Sequence, residues 1–267
     1  MDAYKKNLLE WYIESGVDCF MHQTPNSKIS SDTMFPAGFA AAKEQLGKEE
    51  SNIHKEAETT KTPTLNPTTS QLADNCNSID ELREAVRQYE GLDIKKGATN
   101  TVFADGNPKS DIMLIGEAPG ANEDIYGIPF CGQSGKLLDN ILAAINIDRS
   151  KCYITNTIFW RPPANRRPTS EEIKICRPFV EKHVSLVNPK IIILVGSTAV
   201  ESLLDAKTPM NLLRNQTFKY KNVYLSTPID TFVIFHPSYL LRQPSQKKVM
   251  WLDIQKINQF YLSILHK

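Results

Sequence analysis

The sequence predicts an α/β fold: a three-layer α/β/α sandwich around a central, mostly parallel four-stranded sheet. Three observations predict it. Four short apolar runs are spaced along the chain: Ile112–Ile115, Cys152–Asn156, Ile191–Val195 and Phe232–Phe235. Helical patterns separate the first three runs. The runs are short and largely apolar instead of alternating, which is the mark of strands covered on both faces.

From the amino end, Leu8, Leu9, Trp11, Tyr12, Ile13, Val17 and Phe20 give residues 1–21 the pattern of a short amphipathic helix with an aromatic face. Such a helix either packs on the main domain or docks a partner protein. Residues 22–78 change character. Pro25, Pro36, Pro63 and Pro67 lie among many Ser and Thr, with the polar run Lys48-Glu49-Glu50-Ser51-Asn52, as in a flexible linker. Within it, Met34–Phe39 forms an apolar island, either an interaction motif or a patch that lies on the domain. The folded domain is expected over residues 79–267. Ser78 and Glu81 have the spacing of a capping box, and a helix is expected from there through Leu82 and Val86 to about Tyr89. Further helices are expected at Gly135–Ile145, Ser170–Val187, Thr198–Leu204 and about Gln246–Leu265. Glu171 and Glu172 suit the positive start of the second of these.

Composition excludes several classes. With 267 residues, 41% apolar and 23% charged, the chain has the makings of a soluble globular protein. The net charge of +1 announces no global nucleic-acid character, so any DNA surface must arise from local clustering. No apolar run reaches the ~18–20 residues a membrane helix needs. The first residues are charged, but Glu10, Glu14 and Asp18 interrupt the apolar stretch beyond them. No signal peptide is therefore read, and a cytoplasmic location is expected. Five scattered cysteines, none at metal-ligand spacing, argue against a disulfide framework.

In open α/β sheets ligands bind beyond the carboxyl ends of the strands. That rule selects four loops: Gly116–Asp124, Thr155–Arg167, Gly196–Ala199 and His236–Arg242. The first, Gly116-Glu117-Ala118-Pro119-Gly120, is a tight turn, and it precedes Glu123-Asp124. Its acids either position a water or are solvated caps. Gly127-Ile128-Pro129-Phe130 holds an aromatic between Gly and Pro, which suits a stacking platform for a flat ring. The tail Gly135-Lys136 resembles a phosphate loop, but Phe130 and Leu137 stand where that motif needs Gly and Ser or Thr, which excludes an NTPase. After the second strand, Asn156 offers an amide that both donates and accepts. Arg161-Pro162-Pro163 through Arg166-Arg167 is cationic and stiff, suited to phosphate. Gly196–Ala199 reads mainly as a tight strand-to-helix turn. His236-Pro237-Ser238 ends the fourth strand, and Leu240-Leu241-Arg242 with Lys247 reads as an apolar wedge beside phosphate clamps, a layout that unstacks bases.

These blocks, in this order, resemble the uracil-DNA glycosylase superfamily, and most closely its family 4 branch. Gly-Glu-Ala-Pro-Gly with Glu-Asp, Gly-x-Pro-Phe-x-Gly, Thr-Asn before Arg-Pro-Pro, and His-Pro-Ser-x-Leu-Leu-Arg are all present, over roughly residues 80–260. The resemblance implies a DNA repair hydrolase that cleaves the N-glycosidic bond of flipped-out uracil in base excision repair. It implies that Phe130 stacks on uracil and Asn156 reads its polar edge. His236 would stabilise the leaving anion, and backbone amides near Ala118 would line the pocket. Glu117, with Glu123 as second candidate, would position the water. Arg161, Arg166, Arg242 and Lys247 would meet phosphates, and Leu241 would wedge. The family also implies a 4Fe–4S cluster on four cysteines. Here Tyr89, Leu92 and Trp160 occupy three of those places, and only Cys176 is retained. One thiolate cannot hold four irons, so no cofactor and no metal are expected, with an apolar plug in the vacated volume. The expected partners are uracil-containing DNA and a protein for residues 1–21 or Met34–Phe39. A monomer and no membrane association are expected. The lost cysteines and the N-terminal extension also fit a different class, a DNA-binding or polymerase-associated accessory protein on the same fold with weak or no glycosylase activity.

Overall fold

The structure, a computed structural model, describes residues 68–265. The helix expected over residues 1–21 and the segment Met34–Phe39 lie outside the described residues. Helical structure is present ahead of Ser78. Helix α1 (Thr69–Asp74) opens on a capping box in which Thr68 and Gln71 each bond the other's backbone amide, and Ala73 is fully buried. The linker expected over residues 22–78 therefore overlaps a helix at its end. Only six residues long, this helix was hidden by the prolines and threonines ahead of it. In α2 (Ile79–Gln88) the Ser78 hydroxyl accepts from the Glu81 amide at 3.2 Å, but the Glu81 carboxylate reaches the Asn77 amide instead of closing the box.

The remaining elements alternate as the apolar pattern requires. They are α3 (Asp93–Lys96), β1 (Ala104–Gly106), β2 (Ile112–Gly116), α4 (Ala121–Tyr126), α5 (Gln133–Ala143), β3 (Tyr153–Asn156), α6 (Ser170–Val187) and β4 (Ile191–Val195). Next come α7 (Ser197–Leu204), α8 (Met210–Leu213), β5 (Phe218–Tyr220), β6 (Ile229–Ile234), α9 (Pro237–Arg242) and α10 (Lys247–Leu265). Thr169 caps α6 through a full capping box with Glu172.

The sheet has six strands in the order β1-β3-β2-β4-β6-β5, not the four expected. β3, β2, β4 and β6 are parallel neighbours, as the sequence predicts. The two additions are antiparallel edges of three residues each, β1 on β3 and β5 on β6. Ala104-Asp105-Gly106 and Phe218-Lys219-Tyr220 are too short and too polar to register as apolar runs.

Side chains of the parallel strands divide by the two-residue period. Met113, Ile115, Ile192, Leu194 and Val233 face one core with Leu82, Val86, Phe179 and Val200. Ile112, Leu114, Ile191, Ile193 and Ile234 face the other with Leu138, Ile141, Leu240 and Trp251. Helices therefore cover both faces, completing the three layers. Each fully buried Val, Leu or Ile contributes about 1.5–3 kcal/mol of transfer free energy. That burial holds the four parallel strands in register and brings their carboxyl ends to one edge. Among the described residues no helix is long and apolar enough to cross a membrane.

Candidate active site

Gly116 ends β2 directly opposite Asn156 at the end of β3, and at the same edge of the sheet Val195 ends β4 opposite Ile234 of β6. The loops beyond these ends surround a cleft of about 930 Å³. Of the candidate residues, Glu117, Ala118, Glu123, Phe130, Asn156, Arg166, His236 and Arg242 line it, and so do Gly196, Met210 and Asn211. Arg161, Leu241 and Lys247 lie outside its lining.

Phe130 is buried and has φ +52°, a left-handed conformation that costs a residue with a side chain roughly 1–2 kcal/mol. Arg149 holds it there. The guanidinium donates to the Pro129 carbonyl at 3.0 Å and to the Phe130 carbonyl, and is itself fixed by Asp105 at 2.6 Å and Asp139 at 3.0 Å. Gly135, in the first turn of α5, lies against the same carbonyl so closely that a Cβ would overlap it. The Phe130 ring faces the His236 ring at 5.6 Å between centroids, tilted by 30°.

Asn156 is 2% exposed, and its Oδ1 is buried with no hydrogen-bond partner among the described residues. An unanswered buried acceptor costs about 1–3 kcal/mol, and this one lines the cleft, where a ligand's donor can answer it. A Cβ at Gly116 would lie 2.5 Å from the Phe130 ring and would overlap Asn156 Oδ1. The glycine is therefore what allows ring and amide to stand side by side.

His236 caps α9. Its Nδ1 accepts from the Ser238 amide at 3.2 Å and pairs with the Ser238 hydroxyl at 2.8 Å. With Nδ1 an acceptor, the neutral ring carries its proton on Nε2. Burial, reinforced by the Arg242 guanidinium and opposed by Glu123, pushes the imidazole pKa down to about 4. At neutral pH His236 is thus an uncharged donor. Gly196, at φ +94°, packs against it, and a Cβ there would sit 3.0 Å from that of His236.

The two candidate acids occupy different situations. Glu123 accepts from the Gly120 amide at 3.1 Å with one oxygen and from the Gly132 amide at 2.8 Å with the other, so it joins the two loops that wall the cleft. Glu117 is half-buried. Its backbone carbonyl accepts from the Thr157 hydroxyl at 2.6 Å, and its Oε2 accepts from the Thr198 hydroxyl at 2.6 Å. Its Oε1 has no partner among the described residues.

Three of the cationic candidates differ in what already occupies them. Arg166 makes a two-pronged pair with Glu172 at 2.6 and 2.8 Å, which holds the Glu172 carboxyl below its usual range. Arg161 donates to Asn165 Oδ1 at 2.7 Å. Arg242 stands on the cleft wall, next to Leu241, whose side chain is 37% exposed.

The model of the Uracil DNA glycosylase superfamily matches residues 103–256, the span that carries all of these loops. The chain belongs to that superfamily. It is 35% identical over 189 residues to the Type-4 uracil-DNA glycosylase of Saccharolobus solfataricus, covering 68% of this chain and 86% of the relative. It is 34% identical over 185 residues to that of Thermotoga maritima, covering 68% and 94%. With the Sulfurisphaera tokodaii protein of the same name it shares 31% over 192 residues, covering 70% and 86%.

Within this superfamily the positions that would ligate an iron–sulfur cluster do not fit one here. Cys176 is fully buried and burial pushes its thiol pKa up, which disfavours the thiolate a metal needs. Tyr89 packs at 6.5 Å from the Trp160 ring and edge-on to Phe179 at 5.7 Å. Trp160 is 1% exposed and donates from Nε1 to Thr101 at 3.0 Å. Leu92 is buried in the same core. Among the described residues no three His, Cys, Asp or Glu side chains gather as a metal site.

Sequence reasoning missed Arg149, Gly196 and Thr198. Arg149 lies 19 positions from the carbonyl it holds, and nothing local marks it. The turn Gly196–Ala199 was singled out by sheet geometry, but its residue types spoke only for shape.

Proposed function

We propose that this chain hydrolyses the N-glycosidic bond of uracil in DNA and leaves an abasic site. The observation that carries the reading is the unpartnered buried Oδ1 of Asn156, beside the Phe130 ring in the cleft that the neutral His236 also lines. A flat ring slotted there stacks on Phe130. The Asn156 amide accepts from the N3–H of uracil through Oδ1 and donates to O4 through Nδ2, a pattern that cytosine cannot return.

The chemistry comes from the same atoms. The C1′–N1 bond breaks and its electron pair stays on uracil. The Nε2–H of His236 donates to O2, where that charge is delocalised. A neutral donor held in place is suited to a developing anion, because the site does not reorganise as charge appears. Glu117 offers Oε1 to a water on the sugar's other face and offsets the positive charge that develops at C1′. Water adds to C1′ and its proton passes to Glu117. Glu123, with both oxygens engaged by amides, holds the loops. Arg161, Arg242 and Lys247 meet phosphates beside the wedge Leu241; Arg166, already answered by Glu172, contributes least. A labelled uracil oligonucleotide probed for abasic sites tests the reading. Strand scission after alkali supports it, and tight DNA binding with no abasic product overturns it in favour of an accessory role.

The platform's support gives a separate prediction. Arg149→Met removes two hydrogen bonds from a charged donor to the Phe130 loop, each worth about 1.5–3 kcal/mol. The KM for uracil-DNA rises at least about tenfold while the protein remains folded, as read by steady-state kinetics and thermal melting.

The reading includes catalysis without a cluster, because the aromatic plug of Tyr89, Trp160 and Phe179 supplies the packing there. Protein purified without oxygen therefore contains no stoichiometric iron and shows no charge-transfer band in the visible. One cluster's worth of iron per chain refutes this. A cytoplasmic monomer, with a protein partner for residues 1–21 or Met34–Phe39, completes the proposal.

A further inference from the structure

The geometry points to Thr198 as a positioning residue for Glu117, with Arg167 behind it. This inference rests on the reading of Glu117 as the water-positioning acid. Three loops meet in one chain of hydrogen bonds. The Arg167 Nε, on the loop after β3, donates to Thr198 Oγ1 at 3.0 Å. That oxygen lies 2.6 Å from Oε2 of Glu117, on the loop after β2. Arg167 is itself anchored by Glu201 at 2.6 Å. Thr198 and Glu201 both belong to α7, the helix after β4.

The direction of the chain is fixed by chemistry. A guanidinium nitrogen only donates, so the Thr198 oxygen must accept from Arg167. Its single proton then points to Glu117. Thr198 is fully buried, so water does not compete for that hydroxyl. One oxygen of the carboxylate is pinned, which leaves Oε1 as the one presented to the cleft. The carboxylate's rotation is thereby set before substrate arrives, and a water held by Oε1 has one position instead of several. Such orientation is expressed in the rate of the chemical step and not in substrate affinity. The Arg167–Glu201 pair is more exposed, with the Arg167 side chain 54% accessible, so its own effect is small.

The test measures kcat and KM on uracil-DNA, inhibition by free uracil, and melting temperature for Thr198→Val, Thr198→Ser, Thr198→Ala, Glu117→Gln and the double variant Thr198→Val/Glu117→Gln. Thr198→Val keeps the shape and removes the donor. Its kcat is expected to fall about ten- to a hundredfold, the scale of one hydrogen bond to a charged group. KM and inhibition by uracil stay within about twofold of the parent. Thr198→Ser recovers kcat to within about threefold. The double variant is no slower than Glu117→Gln alone, because the two residues act as a unit. A parental kcat in Thr198→Val, with Glu117→Gln slow, overturns this inference and leaves the role of Glu117 standing. A parental kcat in Glu117→Gln overturns the role of Glu117 itself. If Thr198→Val does not fold, Thr198→Ala, which removes the same donor in a smaller side chain, decides: kcat lowered with KM unchanged, and no further loss on top of Glu117→Gln, supports the positioning role, and a parental kcat overturns it.

Discussion

His236→Ala lowers the rate of uracil release by about 10²- to 10³-fold, with DNA binding retained. The magnitude is that of removing one preorganised donor aimed at a developing oxyanion. Two features make the effect specific to the transition state. The ring is neutral, so it gives no charge attraction to intact DNA. It is also held at Nδ1 by the Ser238 amide, so Nε2–H has one direction. Single-turnover assays show the loss in the chemical step, and an unchanged single-turnover rate would remove His236 from the mechanism. The same ring gives a pH signature. Because its folded pKa lies below the ordinary value of about 6.5, folding favours the neutral form. The stability this confers is present above about pH 6.5 and is lost as pH falls towards the folded pKa of about 4. The imidazole signal followed by NMR therefore titrates near pH 4.

Asn156→Ala lowers kcat/KM on uracil-DNA by roughly 10²- to 10⁴-fold. Removing the amide leaves two polar atoms of a buried base unanswered, each at about 1–3 kcal/mol. Asn156→Asp controls for shape. It keeps the volume beside Gly116 and the acceptor, but it has no donor for the O4 edge. It is expected to lose most of the activity too. Full activity in Asn156→Asp would mean that the base edge is not read by this residue, and the specificity for uracil would need another source.

How much of this was legible in the sequence depends on how local each feature is. The four parallel strands each carry their own signal, an apolar run such as Ile191–Val195. The edges β1 and β5 acquire their strand character only by pairing, as Asp105 does against Ile154, and nothing in Ala104-Asp105-Gly106 announces that. The loops of the site were legible because sheet geometry names strand ends before any motif does. Which of Glu117 and Glu123 is engaged by backbone amides was not, since that depends on which carboxylate finds the amides of Gly120 and Gly132. The supports of Phe130 and Glu117 were invisible for the same reason. Arg149 reaches back to Asp105, and Thr198 to Glu117, 44 and 81 positions away. The missed hydroxyl sat in a turn whose small residues have an adequate local explanation.

The stapling of the cleft by Glu123 and Arg149 has a consequence for damage search. The loop ending at Gly120, the loop through Phe130 and the start of α5 are tied to one another before any nucleic acid arrives. A receptacle that does not remould itself leaves the work of exposure to the duplex. Uracil opposite guanine, held by a weak mispair, swings out more readily than uracil opposite adenine, and in an unpaired strand it is already free. On the proposed reading, the ranking of lesions would then be written in the mechanics of the DNA: the easier a uracil is to extrude, the sooner it would be removed.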